Sequence, residues 1–263
     1  MSIINSTQSR LLRISNIHSI KPMDSSSDFT VNLNRMTETD SIVRCVLKSV
    51  CFQNTQYNIT SKNNEFFYTV DAVNKSVVIT PGYYSELEVI AIIQPIIEAE
   101  LVAVVPGITL TMIIGAYSKK IEYTLSLGGV ALILNPLALT SQETSLNANL
   151  GNMTAASVAL SYISEFVPNL VGLSAIFVHS TTIAPGNLVD GDVEQHDIIG
   201  EVPVNDYFGE IIHWESNEAE INSINYDSVR NFDQIRIQLK DIYQNTIDLH
   251  GGTSVINLKL YYL

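Results

Sequence analysis

Along most of the chain, apolar residues alternate with polar ones at the period of a half-buried strand. In residues 28–33, Phe29, Val31 and Leu33 alternate with Thr30 and Asn32. Residues 42–53 predict a longer strand. Strict alternation puts Cys45, Leu47, Ser49 and Cys51 on one face, with Arg44, Val46, Lys48, Val50 and Phe52 on the other. EFFYTV and SVVIT read as a hairpin closed by residues 71–75, and ITLTMII and IEYTLSL as a second, with Gly115 near its turn. SVALSYI (157–163), LVGLSAIFVHS (170–180) and EIIHWES (210–216) are further strand candidates. Near the C-terminus, Ile235, Ile237 and Leu239 face inward. So do Ile256, Leu258, Leu260 and Tyr262, so the chain ends inside a strand.

One segment has helical spacing instead. After the turn at Pro81-Gly82, Ser85 and Glu88 stand at the capping-box interval, and Val89, Ile92, Ile93, Ile96 and Ile97 recur on one face. Pro95 is expected to kink this helix or mark its reorganisation. Residues 128–152 predict a loop with a short helical turn, and 184–210 a long loop rich in Asp, Gly and Pro. Residues 1–27 are polar and rich in Ser and Asn, and read as an N-terminal arm, part extended and part loose. The pattern is all-β: eight to ten strands and one helix, in a single β-sandwich domain over 28–263 behind that arm. Residues 128–229, acidic and loop-rich, are the expected insertion.

Composition narrows this picture. The 263 residues are 46% hydrophobic and only 16% charged, which excludes a disordered chain and suits burial of surface in an assembly. The net charge of −13 is concentrated: residues 121–229 hold 14 carboxylates and no Lys or Arg. A stretch without cations cannot clamp phosphates, which argues against a nucleic-acid-binding domain. Cys45 and Cys51, six residues apart on one strand, lie too far from each other to bond and read as reduced core residues. No secretion signal and no run long enough to span a bilayer is visible. The sequons at Asn5, Asn58, Asn74 and Asn152 are therefore taken as chance matches. The expected setting is the reducing interior of a cell.

Candidate chemistry is thin. His18, His179, His196, His213 and His250 lack partners at zinc-site spacing. His213 and Glu215 share a face across Trp214. GLSAI (172–176) resembles a nucleophile elbow, with Ile176 where the second Gly belongs. Asp190, Asp192, Glu194 and Glu201 fall at positions 1, 3, 5 and 12 of an EF-hand-like loop, but Gln195 stands where the turn needs Gly. No catalytic, cofactor-binding or metal residue is assigned, and no enzyme or cofactor is expected.

Four blocks carry a resemblance. They are SRLLRISNIHSI with SSSDFTVNL, LKSVCFQNTQYNI leading to NNEFFY, VVITPGYYSELEVIAII, and the tail IRIQLKDIYQNTIDLHGGTSVINLKLYYL. In this order they resemble the penton, or minor capsid, proteins of virophages and Polinton-type viruses, most closely the mavirus group. The blocks cover residues 9–97 and 230–263. The resemblance implies a single jelly roll, with one helix inserted, that assembles as a homopentamer. It implies a place in the virion capsid, at five-fold vertices of an icosahedral shell built mainly from double-jelly-roll trimers of a major capsid protein. No cofactor and no catalytic residue come with it.

A ring of five needs two different patches on each subunit. The acidic stretch is expected at the outer surface or against basic neighbours. The basic arm, with Arg10, Arg13 and Lys21, either reaches toward neighbouring capsomers or is a tail. The alternative is a receptor- or carbohydrate-binding jelly roll using Tyr83, Tyr84, Tyr207, Phe208 and Trp214, with the acidic loop around Ca²⁺. A metal-dependent cupin-type jelly roll comes third, since it needs clustered histidines.

Overall fold

In a computed structural model of the protein, the described residues are 8–18, 26–33, 41–135, 145–170, 172–184, 187–188, 195–216 and 223–262. The chain forms two compact units. The first combines residues 1–56 with 173–263, and the second is residues 57–172.

In chain order the first unit begins with β1 (Gln8–Ser15), β2 (Asp28–Asn32) and β3 (Ile42–Gln53). The second unit follows with β4 (Glu65–Val70), β5 (Val73–Val78), α1 (Glu86–Val104), β6 (Leu110–Ile114), β7 (Ile121–Leu125), β8 (Leu132–Leu134), α2 (Leu146–Asn149), β9 (Ala156–Val158) and β10 (Ser161–Ile163). The first unit resumes with β11 (Ala175–His179), β12 (Asn187–Leu188), β13 (Gln195–His196), β14 (Ile198–Pro203) and β15 (Ile211–Glu215). It ends with β16 (Ser223–Arg230), β17 (Gln234–Lys240) and β18 (Ser254–Tyr262).

The first unit holds two main sheets, β1-β18-β3-β15 and β14-β11-β17-β2, with β16 also paired to β3. Among the described residues, setting aside β16 and the short β12–β13 hairpin leaves eight strands. In chain order the sheets then read 1-8-3-6 and 5-4-7-2. Strands that alternate between two sheets in this way make the double Greek key of a jelly roll. The facing sides share one core: Ile14, Val50, Phe52, Ile256 and Leu258 from one sheet, and Phe29, Val178, Ile235, Ile237 and Leu239 from the other. The second unit enters the chain between the third and fourth of these strands.

β17 and β18 keep the expected alternation, but β3 does not. Ser49 faces Asn257 and Leu47 faces Leu258, so Lys48 is an extra residue; Val43 is a second, between the pairs Arg44–Tyr261 and Ile42–Tyr262. Each bulge reverses the phase of the side chains that follow it. Ile42, Cys45, Leu47, Val50 and Phe52 consequently all reach the core. Cys51 is turned to the other face and is half-buried, which corrects the shared face expected for the two cysteines; both are free thiols. Within the residues read as an arm, the extended part is now defined. Residues 8–15 are a full strand, paired along its length with β18.

The second unit has sheets β5-β4-β8-β9 and β10-β7-β6 around a core that includes Phe66, Tyr68, Ile93, Ile97, Leu110 and Tyr123. The Ser85–Glu88 capping box forms as predicted. The helix runs on through Pro95. Ala91, whose carbonyl loses its donor to proline, is exposed, so water can take that place. Val89, Ile93 and Ile97 face inward as expected, joined by Ile90 and Leu101, while Ile96 is exposed.

The first hairpin closes on Asp71 and Ala72, both at positive φ (48° and 62°), so β5 starts at Val73, earlier than expected. SVALSYI divides into β9 and β10, which join different sheets. β14 lies in the segment read as loop, and β16 in one with no strand reading. The expected insertion at 128–229 also differs from the division observed, 57–172. Insertion limits depend on which distant strands pair, and local periodicity carries no record of that.

Candidate assembly surfaces

The sequence-flagged residues do not converge. On β15, His213 Nε2 stands 3.3 Å from Glu215 Oε1, so the expected common face is observed, and both side chains are exposed to water. His18 ends a short 3₁₀ turn, His179 is buried near the end of β11, and His250 lies in a turn with Nδ1 3.4 Å from Asp248 Oδ2. Ser174 of the GLSAI segment precedes a strand rather than a helix, and its carbonyl accepts from Val204 N–H. Asp190, Asp192 and Glu194 lie outside the described residues, whereas Glu201 sits on β14. Among the described residues, no group of three or more His, Cys, Asp or Glu side chains is placed to hold a metal ion. No helix among them is long and apolar enough to cross a membrane.

Two of the sequon asparagines are structural. Asn58 donates to the carbonyls of Tyr84 and Leu170, both at 2.6 Å, and accepts from Tyr84 N–H at 2.9 Å. Asn152 is fully buried and donates to Tyr123 Oη at 2.7 Å. Burial pushes the Tyr123 phenol well above its usual range. Burial likewise pushes the Cys45 thiol up to about 12, which keeps it an unreactive thiol.

What the structure presents outward is apolar and charged surface. Sequence reading assigned α1 one inward face, but Leu87, Ile96, Val102 and Val104 are exposed on it. The signal was available: between Val89 and Val104 the only polar residues are Gln94, Glu98 and Glu100. A helix apolar on several faces is one that expects company. On the first unit, Tyr207 is 78% exposed and Phe208 and Ile211 lie beside it in sequence. Their loop is held by Asn54 N–H to Glu210 O, Gly209 N–H to Asn54 O, and Tyr207 N–H to Glu210 Oε2. Among the other aromatic candidates, Trp214 packs against the core and Tyr84 Oη bonds Thr80 O.

The interleaved strand order, with a compact unit spliced between the third and fourth strands, can be compared with solved structures. The chain shares the fold of the mavirus penton protein. The crystal structure of that penton protein matches with a TM-score of 0.59 at 11% sequence identity, covering 97% of this chain and 100% of that chain. A chain of the Sputnik virophage, solved by cryo-EM, matches with a TM-score of 0.51 at 10% identity, covering 97% of this chain and 98% of that one. No family model and no curated protein matches the sequence. The likeness to the mavirus penton protein therefore extends through both units, in backbone path rather than in side chains.

Proposed function

We propose that this chain is a structural capsid protein. It forms the homopentameric capsomer at the five-fold vertices of an icosahedral virion, beside trimers of a double-jelly-roll major capsid protein. The observation that carries this reading is the jelly roll with its second unit spliced between the third and fourth strands, matching the mavirus penton protein over 97% of this chain. The exposed apolar side chains on α1 and on the 204–210 connection suit a protein whose surface is partly covered in an assembly.

Light scattering on the purified full chain, with negative-stain images of the same sample, tests the proposal. It predicts a species of about 145 kDa, five times 29.0 kDa, with five-fold views. A stable dimer or trimer contradicts it.

A receptor- or carbohydrate-binding role is the second reading. It is favoured by exposed Tyr207 and Phe208 between Asp206 and Glu210. That role requires the melting temperature to rise with added sugar or Ca²⁺; no shift with either removes it.

A further inference from the structure

Among the described residues, the sheets of the first unit have two borders of opposite net charge. On one side the sheets end in β1 and β2. The turn after β1 is tied down by Asn16, whose Nδ2 donates to Ser26 O and Gly252 O and whose Oδ1 accepts from Ser254 N–H. On the other side the sheets end in β14 and in β15 followed by β16, which pair successive stretches of β3; residues 204–210 join β14 to β15.

β1 and its neighbour β18 carry Arg10, Arg13 and Lys259 and no carboxylate, and the one carboxylate of β2, Asp28, is bonded to Arg236 of its neighbour β17. Arg10 and Arg13 are exposed, with Leu11 between them 63% exposed. Residues 195–216 carry Asp197, Glu201, Asp206, Glu210 and Glu215 and no Lys or Arg, and β16 adds one carboxylate, Asp227, and one cation, Arg230, so carboxylates outnumber cations on this side. Glu201 and Glu215 are exposed, one on each of the two edge strands, and Ile211 stands out beside them at 67% exposure.

Each side repels its own kind and attracts the other. Among the described residues, β1, β2, β14 and β15 are each paired on one flank, the position from which a sheet can be extended. Self-complementary pairing, which would make a closed dimer, is therefore disfavoured. Contact between two different patches generates a ring.

We propose that these sides pair head to tail between copies of this chain, with the Arg10–Arg13 edge of one copy against the Glu201–Glu215 edge of the next. The inference rests on the capsomer reading and names its lateral contact.

The test is light scattering of the full chain at low ionic strength, with thermal melts to verify folding. Two double variants, Arg10→Glu with Arg13→Glu and Glu201→Lys with Glu215→Lys, are each expected to drop the mass fivefold, to 29.0 kDa. Arg10→Gln with Arg13→Gln serves if the reversal impairs folding. Combining all four reversals restores opposite charges across the contact and is expected to restore the assembly. Double variants that remain fully assembled overturn the edge pairing and leave the capsomer reading standing. A wild-type chain that stays at 29.0 kDa overturns the pairing and counts against the capsomer reading too.

Discussion

Replacing Asn58 with alanine removes one small side chain and breaks three hydrogen bonds at once. The side chain sits at the start of the second unit and is 7% exposed. It joins three separate pieces of chain: its own, the turn before α1 through both N–H and C=O of Tyr84, and the segment after β10 through Leu170 C=O. Its own carbonyl accepts from Asn63 Nδ2 at 3.1 Å, a bond that alanine keeps.

A buried backbone group left without a partner costs about 1–3 kcal/mol. Leu170 is 4% exposed and Tyr84 half-buried, so the upper figure does not apply to all three groups. About 1 kcal/mol per bond gives a destabilisation of about 3 kcal/mol, or roughly a hundredfold in the unfolding equilibrium. Urea unfolding followed by circular dichroism measures the total. Amide hydrogen exchange locates it: Tyr84 N–H loses its acceptor and its protection. Trp214, the single tryptophan, lies in the first unit, so its fluorescence gives a separate record of that unit. A loss below about 1 kcal/mol with the Tyr84 amide still protected would refute the claim that Asn58 holds these segments together.

Three further outcomes are expected. Gly151 has φ +84°, and a Cβ there would stand 2.1 Å from Phe166 O, so Gly151→Ala should cost at least about 2 kcal/mol in the same unfolding assay; a smaller loss means the 151–166 contact is loose. Asp28 is held below its usual pKa chiefly by Arg236, which bonds it at 2.9 and 2.7 Å; because the folded value is depressed, its contribution is present above about pH 4 and lost as pH falls further. Arg236→Ala should flatten that part of the stability profile, and an NMR titration should find the Asp28 carboxyl back near its ordinary value. In the native protein a thiol reagent should label Cys51 and spare Cys45 until unfolding; equal rates for both would contradict the opposed faces of β3.

Local chemistry alone determined much of this molecule. The alternation in β17 and β18, the hairpin at Gly115 and the Ser85–Glu88 cap follow from neighbours within a few residues, where sequence spacing and spatial proximity coincide. The capsid resemblance rested on blocks of that kind. Tertiary pairing decided the rest. Bulges at Val43 and Lys48 exist because β3 must match β18, more than 200 residues away, and they sent Cys45 and Cys51 to opposite faces. β1 is a strand because β18 offers it an edge and the core takes Ile14, although its own composition reads as an arm. The second unit begins at residue 57 because β3 finds its partners in strands after residue 210. The opposed charges on the two sides of the jelly roll arise the same way. Arg13 and Glu201 are far apart in sequence, and only the interleaving of two sheets makes each a border of the same sandwich.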